Sequence, residues 1–424
     1  MPEQGPVTLD DSRTGPRGRA RIALVLSGGG ARGAYEAGIL HYIRTMLPGK
    51  NRQRQFDIHC GASVGAINTA FMAATAHDYE LQGRQVWQLW KDVREGDIYR
   101  RDNRALLDFI AKTGTGVFLN IFRKPEKRTM HFNGFLDTAP FLPFIKRIIP
   151  WTMISKNIAA GLIDAVSIVA TNVGTGKMEL FIEKSPAVEY TGEYIAHLTE
   201  LNPLQIMASA AIPIIFPTVM IDEVSYTDGG LRLNTPMSPA IQLGADAILV
   251  IGLHHTRHPG EEVTFHGVKG KPPAMGEVLG RVMNSIFLDR TQYDIEQLER
   301  INRLIDWAEM LYGENFMENL NDMLLKKKIR GDIANRGLKR LKVFRISPSV
   351  DIGELFSECY RRGRNVHFTA FEKMLVRVLD IDPTGGNDFL SYLTFMPEYL
   401  EKLLELGFED ARRQHNDLKT LMEL

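Results

Sequence analysis

The chain has 424 residues, with 51 basic against 51 acidic side chains, 44% hydrophobic residues and two cysteines. That length allows two or three domains, or one large α/β domain with insertions, and the apolar fraction is enough for a sizeable core. Zero net charge speaks against a dedicated nucleic-acid binder, Cys60 and Cys359 offer neither a disulfide framework nor a zinc spacing, and no run of about 18 apolar residues is present to span a membrane.

Residues 1–20 lack the apolar stretch of a secretory signal, and their prolines and glycines read as a disordered polar leader. Together with the sparse cysteines, this gives a reducing, cytoplasmic compartment as the expectation. Order begins at Arg21. Ile22 to Leu26 is a short continuous apolar run, the pattern of a strand buried on both faces of a parallel sheet. It ends in Ser27-Gly28-Gly29-Gly30-Ala31-Arg32-Gly33, and Ala34 to Met46 follows as a helix. A second strand, Phe56 to Cys60, runs into Gly61-Ala62-Ser63-Val64-Gly65, and a small-residue helix follows from Ala66 to Ala76. This repeated strand, glycine turn and helix predicts an α/β fold, a mostly parallel central sheet with helices on both faces.

Residues 78–150 mix aromatic and basic residues and read as a helical insertion over the sheet, with a helix start at Asp137-Thr138 before Pro140. Strand pattern returns at Val166–Ala170 and Leu180–Ile182, around the Gly174-Thr175-Gly176 turn. Further strands are expected at Met220–Tyr226, Ala247–Leu253 and Val343–Ile346. A long helix from about Ala274 to Met310 carries apolar residues at helical spacing, and two helices close the chain.

Gly61-Ala62-Ser63-Val64-Gly65 fits G-x-S-x-G. A serine on a sharp strand-to-helix turn leaves no room for side chains two residues away on either side, so glycine stands at both places and the hydroxyl is left accessible. Gly28-Gly29-Gly30-Ala31-Arg32-Gly33 has two readings. It fits a dinucleotide fingerprint with Asp57 as the ribose-binding acid. It also fits an oxyanion hole, in which successive backbone N–H groups converge on a developing negative oxygen. The serine turn on the next strand favours the second reading, because a dinucleotide site has no use for a nucleophile. The base that such a serine needs is open at this point: His254-His255 after one strand, or Asp228 of Asp228-Gly229-Gly230 after another.

Those three glycine-rich turns occur in the order and contexts of the patatin-like phospholipases. The likeness extends to Leu136-Asp137-Thr138, Ala170-Thr171-Asn172, Ala208-Ser209-Ala210-Ala211-Ile212-Pro213, Asn234-Thr235-Pro236 and Gly244-Ala245-Asp246. The tail from Ser391-Tyr392-Leu393 to Gly407-Phe408 is similar to the end of bacterial members. The resemblance implies a Ser–Asp dyad without a catalytic histidine or any cofactor or metal. Carried over, Ser63 is the nucleophile and Asp228 the base, and the N–H groups of Gly28, Gly29 and Gly30 form the oxyanion hole. Arg32, Gly33, Gly61, Gly65, Gly229 and Gly230 support them. On this reading residues 21–253 form the catalytic core, with 78–150 as its insertion, and 254–424 form a mostly helical part packed on it.

The expected reaction is release of fatty acid from phospholipids or lysophospholipids, with Asp228 buried enough to raise its pKa. Two segments are candidates for peripheral contact with anionic membrane. Phe118 to Arg128 mixes apolar and basic residues, and Lys326 to Arg345 holds nine basic residues against one acid, Asp332. The alternatives are a scaffold protein with an idle site of this type and, more remotely, a dinucleotide-binding oxidoreductase.

Overall fold

The computed structural model describes residues 19–100, 134–255, 290–326, 340–362 and 388–424, and the single positions 278 and 282. The leader up to residue 18, Phe118–Arg128 and most of the basic stretch Lys326–Arg345 lie outside the described residues.

β1 (Ile22–Leu26) and β2 (Ile58–Ala62) lie in the middle of the sheet, buried at every position. α1 (Gly33–Met46) joins them and α2 (Val64–Ala74) follows β2, giving the crossovers that parallel neighbours require. The main path of the sheet runs β5-β4-β3-β2-β1-β8-β9, built from β3 (Ala165–Asn172), β4 (Met178–Lys184), β5 (Ile195–Leu198), β8 (Ala247–Ile251) and β9 (Lys342–Ile346). Pairing is parallel from β3 through β2, β1 and β8 to β9. β3 and β4 are antiparallel across the Gly174-Thr175-Gly176 turn, where Gly176 takes φ 64°.

The stretch Met220–Tyr226, predicted as one strand, is a hairpin. β6 (Val219–Ile221) and β7 (Val224–Asp228) pair antiparallel across Asp222 and Glu223, whose φ values are 46° and 67°. Two successive left-handed residues make the tight turn that suits a hairpin, but they usually announce themselves as Asn-Gly or Asp-Gly. Asp-Glu gives no such signal. β5, absent from the sequence reading, is a four-residue edge strand that is half-exposed to exposed throughout.

One register fixes the site. β4 runs along one edge of β3, pairing from Ala165 to Thr171. The other edge is shared end to end. β2 pairs with Ala165–Val169, and β7 takes over at Ala170–Asn172. Ala62, the last residue of β2, sits opposite Val169, and Asp228 sits opposite the next residue, Ala170. Ser63 therefore leaves β2 at the point where β7 ends in Asp228.

Alternate residues of β1 face opposite cores, as the two-residue strand period requires. Leu24 and Leu26 join a large cluster with α1, α2, α3 (Tyr79–Asp92) and α4 (Phe141–Ile148). The same cluster holds α7 (Asp388–Leu393) and α8 (Pro397–Arg413), from the last part of the chain. Ala23 and Val25 join a smaller cluster with Met237, Ala240 and Ile295, the last from α6 (Arg290–Tyr312). Between them in sequence, α5 (Pro203–Ser209) is capped by Asn202, whose side chain accepts the N–H of Leu204 at 2.9 Å. α1 and α8 cross closely: a Cβ on Gly38 would lie 2.2 Å from the Leu404 carbonyl oxygen, and one on Gly407 would lie 2.1 Å from that of Tyr35. No helix among the described residues is long and apolar enough to cross a membrane.

Candidate active site

Ser63 turns from β2 into α2 at φ 53°, ψ −125°, a left-handed conformation that a side-chain-bearing residue holds only under tight constraint. The constraint is close packing of backbone. A Cβ on Gly61 would lie 2.4 Å from the carbonyl oxygen of Gly65, and one on Gly65 equally close to that of Leu26. Any side chain at either glycine would force the turn open.

The Ser63 hydroxyl donates to Asp228 Oδ2 at 2.6 Å, and the N–H of Gly230 donates to Asp228 Oδ1 at 2.7 Å. Both side chains are almost wholly withdrawn from solvent, Ser63 to 2% and Asp228 to 0% exposure. Burial pushes the Asp228 carboxyl up to about 7, against the opposing pull of its hydrogen bonds from Ser63 and Gly230. The histidine alternative does not reach the serine: His255 Nδ1 is bonded to the Pro348 carbonyl at 2.9 Å, and His254 is exposed.

The glycine loop lies beside Ser63, with one departure from expectation. The N–H of Gly28 donates to the Asn234 carbonyl at 3.1 Å, and the Asn234 amide returns a bond to the Gly28 carbonyl at 3.2 Å. Gly28 is thus a fixed strut whose N–H is already engaged, which leaves Gly29 and Gly30 as the candidate donors of the three glycines. Arg32 is buried, its Nε and Nη2 donating to Ser391 Oγ at 3.0 and 2.6 Å. Asp57 does not serve the loop at all. It lies before β2, at the other end of the strands, where its carboxylate accepts the N–H of Ile22 at 2.9 Å and a salt bridge from Arg54 at 2.8 Å. That location removes the dinucleotide reading, because ligands of such sheets bind at the carboxyl ends of the strands.

Two residues not singled out for the site prove central to its geometry. Ser209 Oγ accepts the N–H of Ser63 at 3.0 Å, and the Ser209 carbonyl accepts the N–H of Gly229 at 3.2 Å, so one residue joins the two turns. Glu36, fully buried, accepts the N–H of Ser27 at 2.9 Å and the Asn68 amide at 2.8 Å; burial holds its carboxyl well above the usual range. Glu36 left a trace in the sequence, a lone acid on an apolar helix one turn after the glycines. Ser209 left none beyond its place in a family-like segment.

Ser63 and Gly30 line a pocket whose other walls are mostly apolar, among them Trp90, Ile98, Phe144, Ile212, Phe216 and Phe395. Walls of that character beside the serine suit the hydrocarbon part of a ligand.

The family model for patatin-like phospholipases matches residues 24–241, just over half of the chain. A cGAMP-activated phospholipase from Pseudomonas aeruginosa (strain BWHPSA011 / Pa011) is 27% identical over 215 residues, 50% of this chain and 53% of that protein. The chain thus matches about half the length of this curated relative. Among solved structures, VipD from Legionella pneumophila aligns over 91% of this chain and 67% of its own at 13% identity and a TM-score of 0.28. ExoU of Pseudomonas aeruginosa, in complex with SpcU, aligns over 95% of this chain and 78% of its own at 12% identity and a TM-score of 0.27. The family match starts inside β1 and ends just beyond Asp228, taking in all three glycine-rich turns, and the chain belongs to the patatin-like phospholipase family.

Proposed function

We propose that this protein is a lipid acyl hydrolase that releases fatty acid from phospholipids or lysophospholipids through a Ser63–Asp228 dyad and an acyl-enzyme. One observation carries the reading: the 2.6 Å hydrogen bond from Ser63 Oγ to a buried Asp228, at the wall of an apolar cavity. In the first step Ser63 Oγ attacks the ester carbonyl carbon while its proton passes to Asp228 Oδ2. The carbonyl oxygen, now negative, takes hydrogen bonds from the amides of Gly29 and Gly30, each donor being worth roughly 3 kcal/mol in comparable sites. The C–O bond then breaks, and the departing alkoxide takes the proton back from Asp228. Water attacks the acyl-serine, again giving its proton to Asp228, and the fatty acid leaves as Ser63 recovers its hydrogen. An aspartate with a pKa of about 7 is matched to both directions of that transfer near neutral pH.

The test is fatty-acid release from mixed phospholipid and lysophospholipid vesicles by wild type, Ser63→Ala and Asp228→Asn, with fluorophosphonate labelling alongside. Loss of release in both variants, with folding intact and label only on Ser63, supports the dyad. Release that survives Ser63→Ala defeats it. Peripheral contact with anionic lipid remains a second proposal, resting on the composition of Phe118–Arg128 and Lys326–Arg345. Co-sedimentation that does not respond to anionic lipid would remove it.

A further inference from the structure

The glycine loop has a support from far along the chain. α7 lies well beyond the 24–241 family match, yet it packs directly on the loop. Ser391, fully buried, accepts two hydrogen bonds from Arg32, a residue 359 positions earlier. The guanidinium carbon of Arg32 also lies 4.0 Å from the centre of the Tyr392 ring. Gly30 takes φ 57°, and a Cβ there would sit 2.1 Å from the Tyr392 carbonyl oxygen, so the loop backbone rests against the backbone of α7. Tyr392 and Phe395 then continue into the wall of the cavity shared with Ser63.

α7 is itself held. Tyr99 donates its hydroxyl to the Leu393 carbonyl at 3.3 Å, and Tyr399 donates to that of Ser391 at 3.2 Å. Tyr399 belongs to α8, which is seated on α1 by the Gly38 and Gly407 crossing. The chain of contacts closes on itself. α1 leaves the glycine loop, α8 grips α1, and α7 ahead of α8 grips the loop.

A guanidinium is a rigid planar fork, and two of its N–H groups on one hydroxyl oxygen fix both its position and its plane. Arg32 and Gly30 are the two ends of a single 3₁₀ turn, so a shift at Arg32 is passed to the amides beside it. An oxyanion donor works only within a few tenths of an ångström of its place. We infer that Ser391 is a positioning residue: through Arg32 it sets the Gly29 and Gly30 amides, which makes the C-terminal segment part of the working site of the hydrolase. This rests on the Ser63–Asp228 reading.

The test uses the full-length chain as Ser391→Ala, Ser391→Thr and Arg32→Lys, beside wild type and Ser63→Ala. The readouts are kcat and KM for fatty-acid release, the pH profile, thermal unfolding, and the rate at which a fluorophosphonate labels Ser63. That last reaction builds negative charge on a phosphoryl oxygen and needs the same amides. In Ser391→Ala and Arg32→Lys, kcat and labelling rate fall together by about 10- to 100-fold, the scale of a misplaced donor. KM stays within about threefold and the midpoint of the pH profile stays in place, because Asp228 is untouched. Ser391→Thr, which keeps the hydroxyl, returns to within about threefold of wild type. If Ser391→Ala labels and turns over within twofold of wild type, the inference is wrong. A pH midpoint that moves with kcat overturns it too, since that signals general loosening. Should Ser391→Ala not fold, Arg32→Lys carries the same test. Failure of the dyad itself would appear separately, as labelling or release that persists in Ser63→Ala.

Discussion

The turn at Ser63 and the crossing of α1 with α8 use the same device to opposite ends. Both bring backbone against backbone with glycine at the contact: Gly61 and Gly65 in the turn, Gly38 and Gly407 in the crossing. In the turn, the close approach sustains a strained serine beside a carboxyl buried where it is reluctant to ionise. In the crossing, it seats Tyr35 and Leu404 in the core, with the Tyr35 hydroxyl bonded to Asp410 at 3.0 Å. Stability is given up at the first place and gained at the second. Substitutions at the turn should therefore separate activity from stability, and substitutions at the crossing should lower both together.

The sharpest separation is expected at Asp228. Asp228→Asn keeps an acceptor for Gly230 but has no basic oxygen for the Ser63 proton. Fatty-acid release should fall by about 10³- to 10⁴-fold. Stability should rise. The folded-state pKa of about 7 lies above the ordinary value of 3.8, so ionised Asp228 costs the wild type nothing below pH 3.8. The cost builds at roughly 1.4 kcal/mol per pH unit and is complete above pH 7. Urea unfolding should find the variant more stable by roughly 4 kcal/mol at pH 8 and equal to wild type at pH 3.5. A gap of constant size across that range would contradict the burial argument. In the wild type the same group should make kcat/KM rise with pH and level off above about 7.

At the crossing, Gly407→Ala should do the reverse. Alanine gains roughly 1 kcal/mol over glycine in an open helix. Here its methyl meets the Tyr35 carbonyl, and overpacking should leave a net cost of about 2–3 kcal/mol in urea unfolding. Activity should follow the folded fraction, with KM unchanged. A stabilised variant would show that α8 sits more loosely than the glycines imply.

A third buried group tests whether reluctance to ionise is confined to the site. His59 lies on β2 with neither ring nitrogen hydrogen-bonded, and burial, aided by Arg44, pushes its pKa down to about 3. A base depressed in the folded state is stabilising above its ordinary value of 6.5, and that contribution is lost as pH falls toward 3. His59→Leu should therefore gain on wild type by about 1.4 kcal/mol per pH unit below 6.5, reaching roughly 2 kcal/mol near pH 5. Parallel stability curves for the two proteins would refute this. The smallest effect belongs on the solvent side of α8. Lys402 pairs with Glu405 at 2.7 Å, both half in water, and Lys402→Gln should change stability by less than about 0.5 kcal/mol.

Much of this architecture could be read from the chain because its causes are local. Ile22–Leu26 is apolar throughout since both faces of β1 are covered, and the structure places the strand on those same residues. Gly61–Gly65 carries the steric demand of the turn in its own sequence. The Asp222–Glu223 turn was hidden because left-handed residues without glycine or asparagine leave no mark. β5 was hidden because a short edge strand needs no apolar pattern. Contacts such as Ser209 with Ser63, or Ser391 with Arg32, join polar residues on distant elements, and no periodicity records them. The exclusion of Asp57 from the glycine loop likewise needed the sheet, since sequence separation does not show which end of a strand a residue occupies.

The shared edge of β3 has a consequence for control. Ser63 and Asp228 are set side by side by consecutive rungs of one ladder, Val169 with Ala62 and Ala170 with Asp228. Parting them means unzipping a strand in the middle of a sheet. Under the proposed mechanism the Ser63–Asp228 pair is thus assembled whenever the domain is folded, and its separation cannot serve as the switch. A regulator of this protein would have to throttle it elsewhere, by reshaping the glycine loop or by closing the way into the cavity, and a resting form should still hold its serine and aspartate in contact.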